Sequence, residues 1–177
     1  MNGGWVPNRI WLLVLLLCAR AAIASADIES RSPADRDAAL AVLAGELFLE
    51  IRRLAKLPLP QRHPQVQFVR HAEIEAIVCG RPCDARALYL PERGVLIDEG
   101  LDPWHDVLAR SILLHELVHH LQEEAQTYAH LRACERRWAR ESDAYAVQNY
   151  YLQRHNSLTV VRPQGHWRSH CADQAGD

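Results

Sequence analysis

The sequence predicts an α+β domain, mainly helical, with a small antiparallel sheet or hairpin beside one metal-binding helix. Three observations lead there. Residues 108–121, LARSILLHELVHHL, keep helical spacing, with Leu108, Ile112, His115 and His119 separated by four, three and four positions. Residues 134–154 read as a second long helix. Between Ala87 and Ile97, two short apolar runs flank the turn Pro91-Glu92-Arg93-Gly94, which is the pattern of a hairpin.

Taken in order, the chain opens with a leader. Met1 to Arg9 is mildly basic, Ile10 to Leu17 is a compact apolar run, and Ala24-Ser25-Ala26 is a small-x-small cleavage site. Residues 1–26 therefore read as a secretory signal peptide, cleaved near Ala26, with an apolar part too short for a comfortable membrane span. Cys18 follows Leu17, where a lipoprotein signal needs a small residue, so it reads as part of the signal. Ser32 and Pro33 then suit a helix cap and first turn, with Asp35 and Asp37 placed for the helix dipole. Helical spacing from Leu40 continues to about Lys56, and Leu57-Pro58-Leu59-Pro60 stops it.

Val66 to Val69 reads as a short strand and residues 71–78 as one or two helical turns. His71, Glu73 and Glu75 read better as helix polar residues than as a metal site. The small loop CGRPC precedes the hairpin. Asp102 and Pro103 suit the opening of the metal-binding helix, which should run to about Glu124. Residues 125–133 are polar and irregular, the second long helix follows, and a tail runs from Asn156 to Asp177.

The whole chain has 177 residues and a formal charge of −2. Without Arg9 and Arg20, which lie in the leader, residues 27–177 carry 18 basic and 22 acidic residues, or −4. That length suits a single domain. No basic stripe or heptad run is present, which argues against nucleic acid and coiled-coil partners. Cys79, Cys83, Cys134 and Cys171 remain after the leader. An even number in an exported protein reads as two disulfides; of the three possible pairings the favoured one has Cys79–Cys83 closing CGRPC and Cys134–Cys171 tying the tail to the last helix. The expected location is outside the cytoplasm, periplasmic or secreted, with no stable membrane span in the mature chain.

His115 and His119 lie one helical turn apart, so both imidazoles can reach one metal ion. Glu116 stands on the adjoining face, where it can take a proton from water without being a ligand. This is the H-E-x-x-H pattern of zinc metallopeptidases, with two ligands and a general base from one stretch of helix. His120 points about 100° away from His119 and falls outside the ligand set. Tyr145 is a conceivable oxyanion donor, and nothing in the sequence commits it.

HELVH followed 22 residues later by Glu141-Ser142-Asp143-Ala144 resembles the gluzincin group of zinc metallopeptidases, in which a helical E-x-x-A pattern completes the site. The resemblance covers about residues 86–155. It implies a minimal zincin-like domain over 27–177, with Zn2+ held by His115, His119 and Glu141 and with Glu116 as general base. Ala144 would be the small residue that lets the two helices pack closely. Asp143 is the rival third ligand and would make the site resemble an aspzincin. Gln122 stands three residues past His119 and Met1 is the only methionine, so the metzincin pattern is absent.

The expected activity is zinc-dependent hydrolysis of a peptide or protein substrate by a monomer. The edge of the hairpin would hold the substrate by main-chain hydrogen bonds. The alternative is an exported metal-binding module without peptidase activity, acting in envelope assembly or protein interaction.

Overall fold

A computed structural model describes residues 32–163. The expected signal peptide and Cys171 lie outside the described residues. Residues 1–38 and 39–177 cluster as two compact units. The described part of the first is the opening of helix α1 (Pro33–Ala55), where Ser32 Oγ accepts from Asp35 N at 3.3 Å. The second unit holds everything else: β1 (Val66–Val69), α2 (His71–Val78), β2 (Ala87–Leu90), β3 (Gly94–Asp98), α3 (Val107–Glu124) and α4 (Ala133–Arg154). The architecture is α+β, mainly helical, with one small sheet.

The sheet has the order β1-β3-β2, with β1 parallel and β2 antiparallel to the central strand. The expected hairpin is therefore present as β2–β3, and β1 joins it from the other side. All five residues of β3 are buried, as a strand covered on both edges and both faces requires. Gly94 makes the turn possible. Its φ is 81°, and a Cβ there would lie 2.1 Å from the Gln65 carbonyl oxygen. That contact would also break the approach of Gln65, whose carbonyl accepts from Val95 N at 2.8 Å.

Asp98 N donates to Arg86 O at 2.9 Å, which makes residues 86 and 98 a hydrogen-bonded pair. In an antiparallel ladder these pairs alternate, so Leu88 and Leu90 also pair with β3. Among the described residues β2 is an edge strand, and the N–H and C=O groups of Ala87 and Tyr89 point away from β3 along that edge.

α3 begins later than the sequence suggests. Asp102 caps a separate turn, its Oδ1 accepting from Trp104 N at 3.1 Å and His105 N at 3.2 Å. Asp106 caps the helix itself, accepting from Leu108 N at 2.8 Å. Two aspartates four residues apart both satisfy the local capping rule, and only packing decides where the long helix starts. From Leu113 to Gln122 every residue of α3 is buried. A helix covered on all sides has to satisfy its polar side chains internally, and His115, Glu116, His119, His120 and Gln122 are all in that position.

The core is built where α1, the sheet, α3 and α4 meet. Leu40, Leu43, Ala44, Leu47, Phe48 and Ile51 form the buried stripe of α1. Leu113, Leu114, Leu117 and Leu121 come from α3, and Ala144 and Tyr151 from α4. Burying each such leucine contributes roughly 1.5–3 kcal/mol. Among the described residues no helix is long and apolar enough to cross a membrane.

Ala144 is fully buried on α4, in the core shared with α3. Ala144→Leu is expected to cost about 1–3 kcal/mol through overpacking and to weaken metal retention by pushing Glu141 away from α3. Ala146→Leu, at an exposed position on the same helix, should stay within about 0.5 kcal/mol of wild type. Thermal melting of both variants, with metal content measured alongside, checks the difference.

The Cys79–Cys83 disulfide is present and closes the CGRPC loop. Cys134 is disulfide-bonded; its expected partner, Cys171, lies outside the described residues.

Candidate metal centre

α3 delivers His115 and His119 one turn apart, and α4 delivers Glu141 to the same point. His115 Nε2 and His119 Nε2 are 3.1 Å apart. Glu141 Oε2 lies 3.4 Å from the first and its Oε1 3.4 Å from the second. Tetrahedral zinc with bonds of about 2.0–2.1 Å sets its ligand atoms about 3.3 Å from one another. The three ligand atoms thus already stand at the spacing a tetrahedral ion needs. Three possible ligand atoms thus converge in a mostly buried place, and His115, His119 and Glu141 can hold a metal ion.

Electrostatics point the same way. Burial alone would drive the proton off His119. The Glu141 hydrogen bond, the charges of Glu116 and Glu141 and the contact with Gln122 outweigh it and raise its proton affinity. Burial also opposes ionisation of Glu141, yet its hydrogen bonds and attraction to His115 and His119 hold the carboxyl far below its usual range. The two imidazoles therefore favour the ionised carboxylate.

His119 is oriented from behind. Its Nδ1–H donates to Gln122 Oε1 at 2.9 Å, and Gln122 Nε2 donates to Arg140 O at 3.0 Å. The first bond fixes the tautomer that leaves the Nε2 lone pair facing the site. The second ties the metal helix to the helix that carries Glu141. Gln122 is three residues past His119, where the sequence offers it only as a departure from an extended motif. Gln122→Ala is expected to weaken metal affinity about 10–100-fold. Gln122→Glu, which keeps an acceptor, should recover most of that. Competition against a chromophoric chelator reads both, and an unchanged affinity in Gln122→Ala would remove the role.

His115 is packed against Tyr145, with ring centroids 4.5 Å apart in an edge arrangement. Its Nδ1 is buried and has no hydrogen-bond partner among the described residues. Burial and the charges of Glu141 and Glu116 push the Tyr145 hydroxyl above the usual phenol range. It remains a donor beside the site. Glu116 is not one of the three converging ligands. Its negative charge nonetheless raises the proton affinity of both His119 and Tyr145.

The neighbouring polar residues have other duties. Asp143 is exposed and accepts a hydrogen bond from the Tyr128 hydroxyl, which takes it out of the ligand set. His120 is buried. Its Nδ1 lies 3.3 Å from Tyr89 Oη and its Nε2 2.8 Å from Arg62 O, so it joins α3 to β2 and to the loop before β1. His71 stands 2.8 Å from Asp98 and 3.3 Å from Glu75, and Glu73 pairs with Arg93, so those residues brace the sheet. Among the described residues they form no metal-holding group.

A cleft of about 290 Å³ opens beside the centre, lined by His119, Glu141, Tyr89 and three arginines, Arg136, Arg137 and Arg140. Sequence patterning gave no notice of the arginines, since they sit among many others on a polar helix.

Residues 38–174 match the model of a family described as a domain of unknown function, DUF6647. The chain belongs to the DUF6647 family. The match takes in all of α3 and α4, and with them every residue of the centre. No curated protein and no solved structure matches the chain.

Proposed function

We propose that this DUF6647 chain is a zinc-dependent peptidase whose centre is His115, His119 and Glu141, with Glu116 as general base. The observation that carries this reading is the convergence of three ligand atoms at separations of 3.1, 3.4 and 3.4 Å. A two-histidine, one-carboxylate set is a zinc set of the catalytic kind, because it leaves a coordination place open. Bound there, zinc would supply Lewis acidity to the water and to the peptide carbonyl.

The chain's own residues do the rest. Glu116 accepts the proton of the attacking water and later delivers it to the leaving amine nitrogen. Tyr145, kept protonated by its surroundings, is a donor for charge that develops on the carbonyl oxygen. The outward N–H and C=O groups of Ala87 and Tyr89 hold an extended substrate as an added strand. β2 packs against α3, and Tyr89 lines the cleft beside the centre, so a peptide on this edge lies next to the metal ligands.

The test is the metal content of the folded chain, purified without chelator or added metal, followed by a peptide-library cleavage assay. About one zinc per chain and chelator-sensitive cleavage are expected. Zinc without any cleavage would turn the reading to an exported metal-binding module. No zinc, and no rise in melting temperature when zinc is added, would make the HELVH helix ordinary scaffold.

A further inference from the structure

α4 presents more than Glu141 to the site. Arg137, Glu141 and Tyr145 recur every four residues, and Arg136 and Arg140 run beside them. Three guanidinium groups therefore line the cleft that shares His119 and Glu141 with the metal centre. Its volume of about 290 Å³ sits at the bottom of the roughly 300–1,000 Å³ range of small-ligand pockets, which suits one side chain or one chain end.

The arginines are not equivalent. Arg140 is neutralised, with one nitrogen 2.6 Å from Glu123 Oε2 and another donating to His119 O at 3.2 Å. Arg136 has only neutral partners: one nitrogen donates to Leu131 O at 3.0 Å and to Ala129 O at 3.5 Å. No carboxylate among the described residues pairs with it, and its Nε is buried with no hydrogen-bond partner among them. A cation partly shielded from water with an unmet donor is costly. An incoming carboxylate supplies the missing opposite charge.

We propose that this cleft is an anion-recognition subsite, and that the substrate places a carboxylate there. The carboxylate comes either from an acidic side chain beside the scissile bond or from a free carboxy terminus. The inference rests on the peptidase reading and names the substrate class for it. Four helical residues, a rise of about 6 Å, separate Arg137 from Glu141. Successive residues of an extended peptide advance about 3.3 Å, so a carboxylate one or two residues from the cleaved bond falls within reach of Arg136 and Arg137. Selectivity then comes from the ligand-bearing helix.

The experiment uses two sets of fluorogenic peptides with the zinc-loaded protein. One set has blocked ends and carries Glu or Gln at each position flanking the cleaved bond. The other has no acidic side chain and a free or amidated carboxy terminus. At least tenfold higher kcat/KM is expected for Glu at one position, or for the free terminus, and the set that shows it identifies the source. The preference should fall towards unity in Arg136→Gln, mainly through KM. Because Arg136 also ties down residues 129 and 131, Arg137→Glu provides a second variant at an exposed position, expected to favour Lys over Glu peptides.

Equal kcat/KM throughout both sets overturns the subsite and leaves the peptidase reading standing. Titrating Glu116→Gln with labelled versions of the same peptides separates the two ideas. Tighter binding of acidic peptides that Arg136→Gln abolishes, with no hydrolysis by wild type, keeps the subsite and removes the peptidase. Absence of both preference and cleavage removes both.

Discussion

Glu116→Gln is expected to retain one zinc per chain and to lower peptide hydrolysis by about 10²–10⁴-fold, the range for removing a positioned general base. Glu116 is buried and follows His115 directly, so an amide of the same size leaves the packing of α3 intact. It is not one of the three converging ligands, so the metal has no reason to leave. What is lost is the carboxylate proposed to take the proton from water, since an amide cannot accept it. Steady-state rates on the best library peptide, with metal analysis of the same preparation, give the answer. Wild-type turnover in the Gln variant would move the base elsewhere, and loss of zinc would mean that Glu116 supports the ligands.

Glu141→Ala should empty the centre. Structural zinc sites are worth about 10–16 kcal/mol in total, so one ligand of three accounts for roughly 3–5 kcal/mol, or about 10²–10⁴ in affinity. The two imidazoles would still face each other 3.1 Å apart, without the carboxylate that now touches both. The variant should also lack the rise in melting temperature expected when excess zinc is added to the wild type, because that rise would be binding linkage. Asp143→Ala is the matched control. Its carboxylate is exposed and engaged by Tyr128, so zinc should stay. Retention in Glu141→Ala with loss in Asp143→Ala would reverse the ligand assignment.

The site was partly legible in the sequence because half of it is local. His115 and His119 share one helical turn, and a four-residue spacing fixes their common direction whatever surrounds them. Gln122, three residues past His119, is equally local, but its value depends on an acceptor role that spacing does not reveal. The arginines of the cleft were not legible. Their charge is ordinary on a polar helix, and only the packing of α4 on α3 turns three of them into a wall beside His119. His120 shows the reverse case. Adjacent to a ligand and polar, it is carried into the core by the strands and loop that close over it.

By itself the sequence determined the elements: the capped first helix, the short strand at Val66–Val69, the β2–β3 hairpin with its glycine turn, and the two long helices. Each rests on periodicity, capping or turn chemistry, which act over a few residues. The tertiary structure alone decided that Asp106 and not Asp102 caps α3 and that β1 joins the hairpin in parallel, and it brought Glu141, the third ligand the resemblance implied, to the histidines ahead of its rival Asp143. Those choices depend on how far one helix is rotated and shifted against another. That rotation is set by buried contacts such as Ala144 in the core shared with α3, between residues distant in the chain, and no local spacing encodes it.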